Sequence, residues 1–140
     1  MNSPMPNVRI YPDTTHQTRL SMEAQDFREA YQLTHSSSVK DRSRQRNLIT
    51  EEFKEFLEAE ALLYLSSKNV REDCLKELAD LVYVCYQYAE NMQWDLDEAL
   101  FRVHQSNMSK LDEYGKPIYR EDGKVLKGPN YQPPDLEDLV

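Results

Sequence analysis

The chain has 140 residues, enough for one domain with a real core and too few for two. Its 25 acidic against 17 basic residues leave a formal charge of −8, which argues against a broad nucleic-acid surface but not against a nucleotide brought in by metal ions. No run of about 18 apolar residues offers a membrane span, and the N-terminal MNSPMPNVRIYPD lacks the apolar segment of a secretory signal, so a cytoplasmic protein is expected.

Residues 1–20, with Pro4, Pro6 and Pro12, read as an irregular N-terminal segment. Leu20, Ala24, Phe27 and Tyr31 then recur at helical spacing, which predicts a first helix from Ser21 to about His35 with Ser21 as N-cap. After the serine run at 36–38, Ser38 and Asp41 start a second helix expected over about 39–65, basic and solvated in its first half. The turn SSKN leads to a third helix over about 70–92, which carries both cysteines, Cys74 and Cys85. They stand about 16 Å apart along a helix, too far for a disulfide, and are expected as buried free thiols. Asp95 with Glu98 forms a capping-box variant for a fourth helix over about 95–112. Beyond Tyr114-Gly115 the segment IYREDGKVLKG reads as a β-hairpin turning at Asp122-Gly123 in a type I′ turn, followed by an extended acidic tail. The expected architecture is all-α, a four-helix-type bundle over 21–114 with a short C-terminal hairpin and tail over 115–140, in one domain overall.

Two acidic pairs interrupt faces that should be buried. At roughly 100° per residue, Glu52 and Glu55 share a face with Leu48, Ile49, Phe56, Ala59 and Leu63. Glu77 and Asp80 stand beside Leu81, Val84 and Tyr88. An ionised carboxylate in an apolar interior is costly unless paired or bound to metal. Each pair puts two carboxylates on adjacent turns, so two such helices side by side present four oxygen donors to one point, as a hard divalent cation requires. Mg²⁺ is the expected ion, with Mn²⁺ as a substitute, and four carboxylates leave room for more than one. The bland alternative is that the helices are rotated and the acids face water. No histidine stands three residues after any of these acids, which argues against a di-iron site, and His16, His35 and His104 are too scattered for zinc.

The fourth helix shows a similar anomaly. Asn107 and Lys110 interrupt the stripe Leu96, Ala99, Leu100, Val103 and Leu111. They are candidates to meet a sugar or phosphate oxygen, unless the inward stripe simply ends near Val103. Phe27 is a candidate for stacking on a nucleobase, against the plainer reading of an aromatic core residue.

Glu51-Glu52-x-x-Glu55 followed by Glu77-x-x-Asp80 resembles the E-E-x-x-E…E-x-x-D signature of MazG-type nucleoside triphosphate pyrophosphohydrolases. The segment SNMSKLDEYGKPIYREDGKVLKGPNYQPPDL resembles single-domain MazG-like proteins, with the short cyanophage-encoded forms nearest. The resemblance runs from about Gln25 to Leu136. It implies an all-α pyrophosphatase fold, homo-dimers or homo-tetramers, and hydrolysis of (deoxy)nucleoside triphosphates to the monophosphate and pyrophosphate by water attack at the α-phosphorus. Glu52, Glu55, Glu77 and Asp80 would be the magnesium ligands, with Asn107, Lys110 and, more loosely, Phe27 at the nucleotide. Glu51 would be an auxiliary carboxylate, and either Glu55 or Glu51 would take the water's proton. Phosphoribosyl-ATP or a guanosine alarmone as substrate, and a catalytically silent nucleotide-binding or interaction module, stand as alternatives.

Overall fold

Thr18, not Ser21, starts the first helix of the computed structural model, which describes residues 18–140. The Thr18 hydroxyl accepts from the Leu20 amide and α1 runs over Arg19–Ala30, while Ser21 is buried within it. The irregular segment expected over 1–20 lies, up to residue 17, outside the described residues. α1 also stops short of His35. Gln32 takes φ 54°, and the amides of Gln32 and Leu33 reach back to the carbonyls of Glu29 and Arg28, closing the helix end without a glycine.

The other helices begin where short polar side chains can cap them. Ser38 accepts from the Asp41 amide at the head of α2 (Val39–Glu60), and Ser67 from Val70 at the head of α3 (Lys68–Met92). Asp95 accepts from Glu98 at the head of α4 (Leu96–Met108). The run expected to continue α2 to residue 65 breaks after Glu60, and Leu63–Leu65 tighten into a 3-10 turn. α3 closes like α1, with Gln93 at φ 59° and the amides of Gln93 and Trp94 returned to Glu90 and Ala89.

α2 and α3 form a hairpin with an extensive shared face, and α1 packs on α3. Met22 and Ala24 of α1 are buried with Cys74, Val84, Tyr86 and Ala89 of α3. Asn91 ties the elements together. Its Nδ2 donates to the Ser36 carbonyl at 2.7 Å, and its Oδ1 accepts from the Ser36 amide at 3.2 Å and from Arg28 Nη2 at 3.1 Å. α4 is pinned at its start by buried Asp97, which accepts from Tyr86 Oη at 2.9 Å and from the Thr18 amide and hydroxyl at 2.7 and 2.8 Å. Beyond that pin, α4 shares its main contact with the C-terminal 3-10 turn Glu137–Leu139 rather than with α2 or α3. The four expected helices are therefore a three-helix layer plus a limb.

The C-terminal β-hairpin is not formed. Among the described residues there is no strand, only one isolated antiparallel bridge between Tyr119 and Val125. The chain does reverse at 120–124, but a type I′ turn needs positive φ at both central residues, and here Gly123 has φ 85° while Asp122 does not. The Gly123 amide donates to the Arg120 carbonyl and the Arg120 amide to Lys124, giving a three-residue loop. Asp122 instead binds Arg120 through its side chain. Two short flanks with few apolar partners do not sustain a ladder.

The apolar burial is incomplete. No large side chain among the described residues is fully buried, and Leu75, Leu78 and Val82 line one face of α3 at 66%, 42% and 41% exposure. No described helix is long and apolar enough to cross a membrane.

Candidate metal and nucleotide site

The helical period and the α2–α3 hairpin together fix the acidic site. Glu52 and Glu55 stand one turn apart on α2, Glu77 stands on the facing side of α3, and one carboxylate oxygen from each lies within 4.8 Å of the others. Oxygens around a single Mg²⁺ are about 3 Å apart when adjacent and about 4.2 Å when opposite, so the three side chains would turn toward the ion to close the set. A cleft of about 440 Å³ opens beside it, bordered by Glu55, Glu58, Leu62, Val70, Asp73 and Glu77.

Burial makes this arrangement costly without a cation. Glu52 and Glu77 are half-buried, and the Oε2 atom of each is buried with no hydrogen-bond partner. Burial pushes the Glu52 carboxyl above the usual carboxylate range, and the neighbouring charges of Glu55, Asp80 and Glu77 push it further. Two orphaned carboxylate oxygens among three converging acids fit a hard divalent cation, which would supply both the missing partner and the missing charge.

Asp80 stands apart from the three-oxygen cluster. Its Oδ2 is 2.8 Å from Lys76 Nζ, which also reaches Glu77 Oε1 at 3.2 Å. Those two bonds hold the Lys76 ammonium well above the usual lysine range. Lys76 is the charged group at the site that the acidic pattern did not bring out. The signal was there, in the four-residue spacing from Lys76 to Asp80 on one helix face. Glu51 is exposed on α2, outside the cluster.

Phe27 sits in an aromatic group. Its ring centroid is 4.4 Å from that of Tyr31 and 5.6 Å from that of Tyr83, the latter edge-on. Tyr83 stands three residues beyond Asp80, so the aromatic group adjoins the acidic stretch of α3 along the chain. Tyr31 is exposed at 67%, leaving one aromatic face open. Asn107 is exposed near the end of α4, and Lys110 lies two residues past the helix, half-buried. Both ride on the limb and join none of the acidic cluster's contacts. Of the histidines, His35 donates through Nδ1 to the Glu90 carbonyl at 2.7 Å, His104 is exposed, and His16 lies outside the described residues. Cys74 is buried and Cys85 half-buried, both as free thiols.

Residues 19–107 match the phosphoribosyl-ATP pyrophosphohydrolase family. The match begins with the first residue of α1 and ends at Asn107, so it takes in the acidic cluster and leaves Lys110 and the C-terminal strap outside. No curated protein matches the chain.

Proposed function

The chain belongs to the phosphoribosyl-ATP pyrophosphohydrolase family, within the MazG-like nucleotide pyrophosphatases, and from that premise we propose that it hydrolyses (deoxy)nucleoside triphosphates to the monophosphate and pyrophosphate with Mg²⁺. The observation that carries the metal dependence is the convergence of Glu52, Glu55 and Glu77 with two buried, unpartnered carboxylate oxygens. Those three residues would hold the ion, and Asp80 would join them by leaving Lys76. A divalent cation there screens triphosphate charge and lowers the pKa of water beside it.

The chain's own groups do the remainder. Glu55 or Glu51 accepts the proton of the water that attacks the α-phosphorus, and pyrophosphate departs. Lys110 offsets phosphate charge, Asn107 hydrogen-bonds a sugar or phosphate oxygen, and the Phe27–Tyr31–Tyr83 group offers a face on which a base stacks. The likeness of the C-terminal segment to short cyanophage-encoded MazG-like proteins belongs to this proposal, as does a cytoplasmic setting, where Cys74 and Cys85 stay reduced. So does a homo-dimer or homo-tetramer. What supports it is the uncovered Leu75–Leu78–Val82 face, since a patch of that kind on a short helical chain is normally closed by a partner. Light scattering should give two or four times the 16.5 kDa chain mass, and a monomer would rule the assembly out.

A second reading has its own support. The matched family is described by phosphoribosyl-ATP, so that nucleotide is the first competitor as substrate. Pyrophosphate release measured across canonical NTPs and dNTPs, phosphoribosyl-ATP and a guanosine alarmone, with Mg²⁺ and with chelator, separates the readings. Turnover of NTPs or dNTPs that stops with chelator is expected. Turnover confined to phosphoribosyl-ATP would replace the proposed substrate, and nucleotide binding with no turnover of any compound would replace the enzyme with a silent module.

A further inference from the structure

The C-terminal segment does not hang free; it is strapped along α4. Ser106 Oγ donates to the Gln132 carbonyl at 2.7 Å, and the Gln132 amide donates to Ser109 Oγ at 3.0 Å. Arg102 donates to the Asp135 carbonyl at 2.9 Å and grips both carboxylate oxygens of Asp138 at 2.5 and 3.0 Å. Arg102, Ser106 and Ser109 follow one another at helical spacing, so the strap covers one face of the helix.

The tightest crossing is at Lys110. The Gly128 amide donates to the Lys110 carbonyl at 2.8 Å. A Cβ on Gly128 would stand 2.4 Å from the Leu111 carbonyl oxygen and 2.6 Å from that of Lys110, both backbone atoms that cannot swing aside. Only glycine lets the two segments approach this closely. On the other flank, Asp112 accepts from the Tyr114 and Lys116 amides, at 2.9 and 2.8 Å, and closes the turn. Lys110 follows the last turn of a helix, where carbonyls lack helical partners and the backbone frays. Here its carbonyl is held by the strap and the following turn is locked, while its ammonium enters no ion pair among the described residues.

We infer that the C-terminal strap, through Gly128 and Arg102, is a positioning element that holds the Lys110 backbone so that its ammonium is presented preorganised to the phosphates of the substrate. This rests on the proposed role of Lys110 at the triphosphate. A lysine on a frayed end would reach the same phosphates only after its backbone was ordered, and that ordering would weaken substrate binding. The strap completes the ordering at folding. Gly128 and Arg102 touch no substrate and act through Lys110.

The test is a double-mutant cycle in the full chain, with KM and kcat for dNTP hydrolysis and Mg²⁺ affinity from a thermal-shift titration. Lys110→Ala, Gly128→Ala and the double variant form one cycle. Arg102→Gln replaces Gly128→Ala in a second, because it loosens the strap from a half-buried side chain without forcing backbone atoms apart, and a melting curve checks that the variant is folded. Each strap variant should raise KM about tenfold, with kcat and Mg²⁺ affinity within about twofold of the parent. Each double variant should be no worse than Lys110→Ala alone, the non-additivity expected when one group acts through another. Additive losses would overturn the inference and make the strap a general stabiliser. Unchanged KM in both strap variants, with KM raised in Lys110→Ala, would overturn it and leave the proposed function standing. Unchanged KM in Lys110→Ala would remove Lys110 from the site, and the inference with it.

Discussion

The α2–α3 hairpin and the α4–strap limb solve opposite problems. The hairpin has packing, with an extensive shared helix face, yet leaves carboxylate oxygens of Glu52 and Glu77 buried and unpartnered. The limb has little apolar cover, with Leu100, Phe101 and Met108 about half exposed, yet Arg102, Ser106, Ser109 and Gly128 bind the strap one after another. Where polar groups are satisfied locally, the chain holds a shape without needing a ligand. Where packing is good but polar groups are orphaned, it holds a shape whose cost a ligand would remove. The contrast separates a region whose polar groups are left wanting from a region whose polar groups are satisfied.

The largest effect belongs to the hairpin. Glu52→Gln should lower pyrophosphate release by about a hundredfold or more, the scale of losing a group that fixes the charge-stabilising centre of a phosphate reaction. It should also abolish the rise in melting temperature that Mg²⁺ gives the parent. Without metal the variant should be the more stable of the two at neutral pH. The Glu52 carboxyl titrates above its unfolded value, so its ionisation costs stability as pH rises, and the parent should recover that stability as pH falls through the folded pKa toward the unfolded value near 4.5. The stability difference between variant and parent should therefore shrink on acidification. A difference that grows would mean that Glu52 is ionised and satisfied, and the contrast between the two regions would fail. Next in size is Asn91→Ala, which leaves the Ser36 carbonyl without its partner, while the Ser36 amide keeps the Asn91 backbone carbonyl, and should cost about 1–3 kcal/mol in chemical denaturation. A loss below about 0.5 kcal/mol would show that water replaces Asn91.

The hairpin was largely legible in the sequence and the limb was not. Acids on a stripe with Ile49, Phe56 and Val84 announce themselves because periodicity and the cost of burying charge act on neighbours a few residues apart. The caps of α2 and α4 were legible for the same reason, since Ser38 and Asp95 act on amides three residues on. Ser21 was misread as a cap because nothing in α1 itself reveals that Thr18 is held by Asp97, 79 positions away. The early end of α1 was hidden because Gln32 takes a left-handed conformation without glycine's signature. The hairpin over 118–128 was overread. Asp122-Gly123 does mark a reversal, but whether flanking residues pair as strands depends on what they pack against, and here the segment turns into a strap on α4. That Asn107 and Lys110 ride on a limb whose main element contact is the C-terminal 3-10 turn, and not α2 or α3, is a fact of helix placement that a stripe pattern does not carry.

The smallest effect tests the limb. Asp138→Asn keeps the shape of the side chain that Arg102 grips and removes its charge. Asp138 is solvent-exposed, so water and salt screen the pair from its side, and the Asp135 carbonyl and Glu98 continue to hold Arg102. The melting temperature should shift by no more than about 2 °C, against several degrees for Asn91→Ala. A drop as large as that of Asn91→Ala would mean that the limb carries global stability, and strap and hairpin could no longer be separated. A small shift keeps the division, because a grip worth little to the fold is free to be worth more to where Lys110 points.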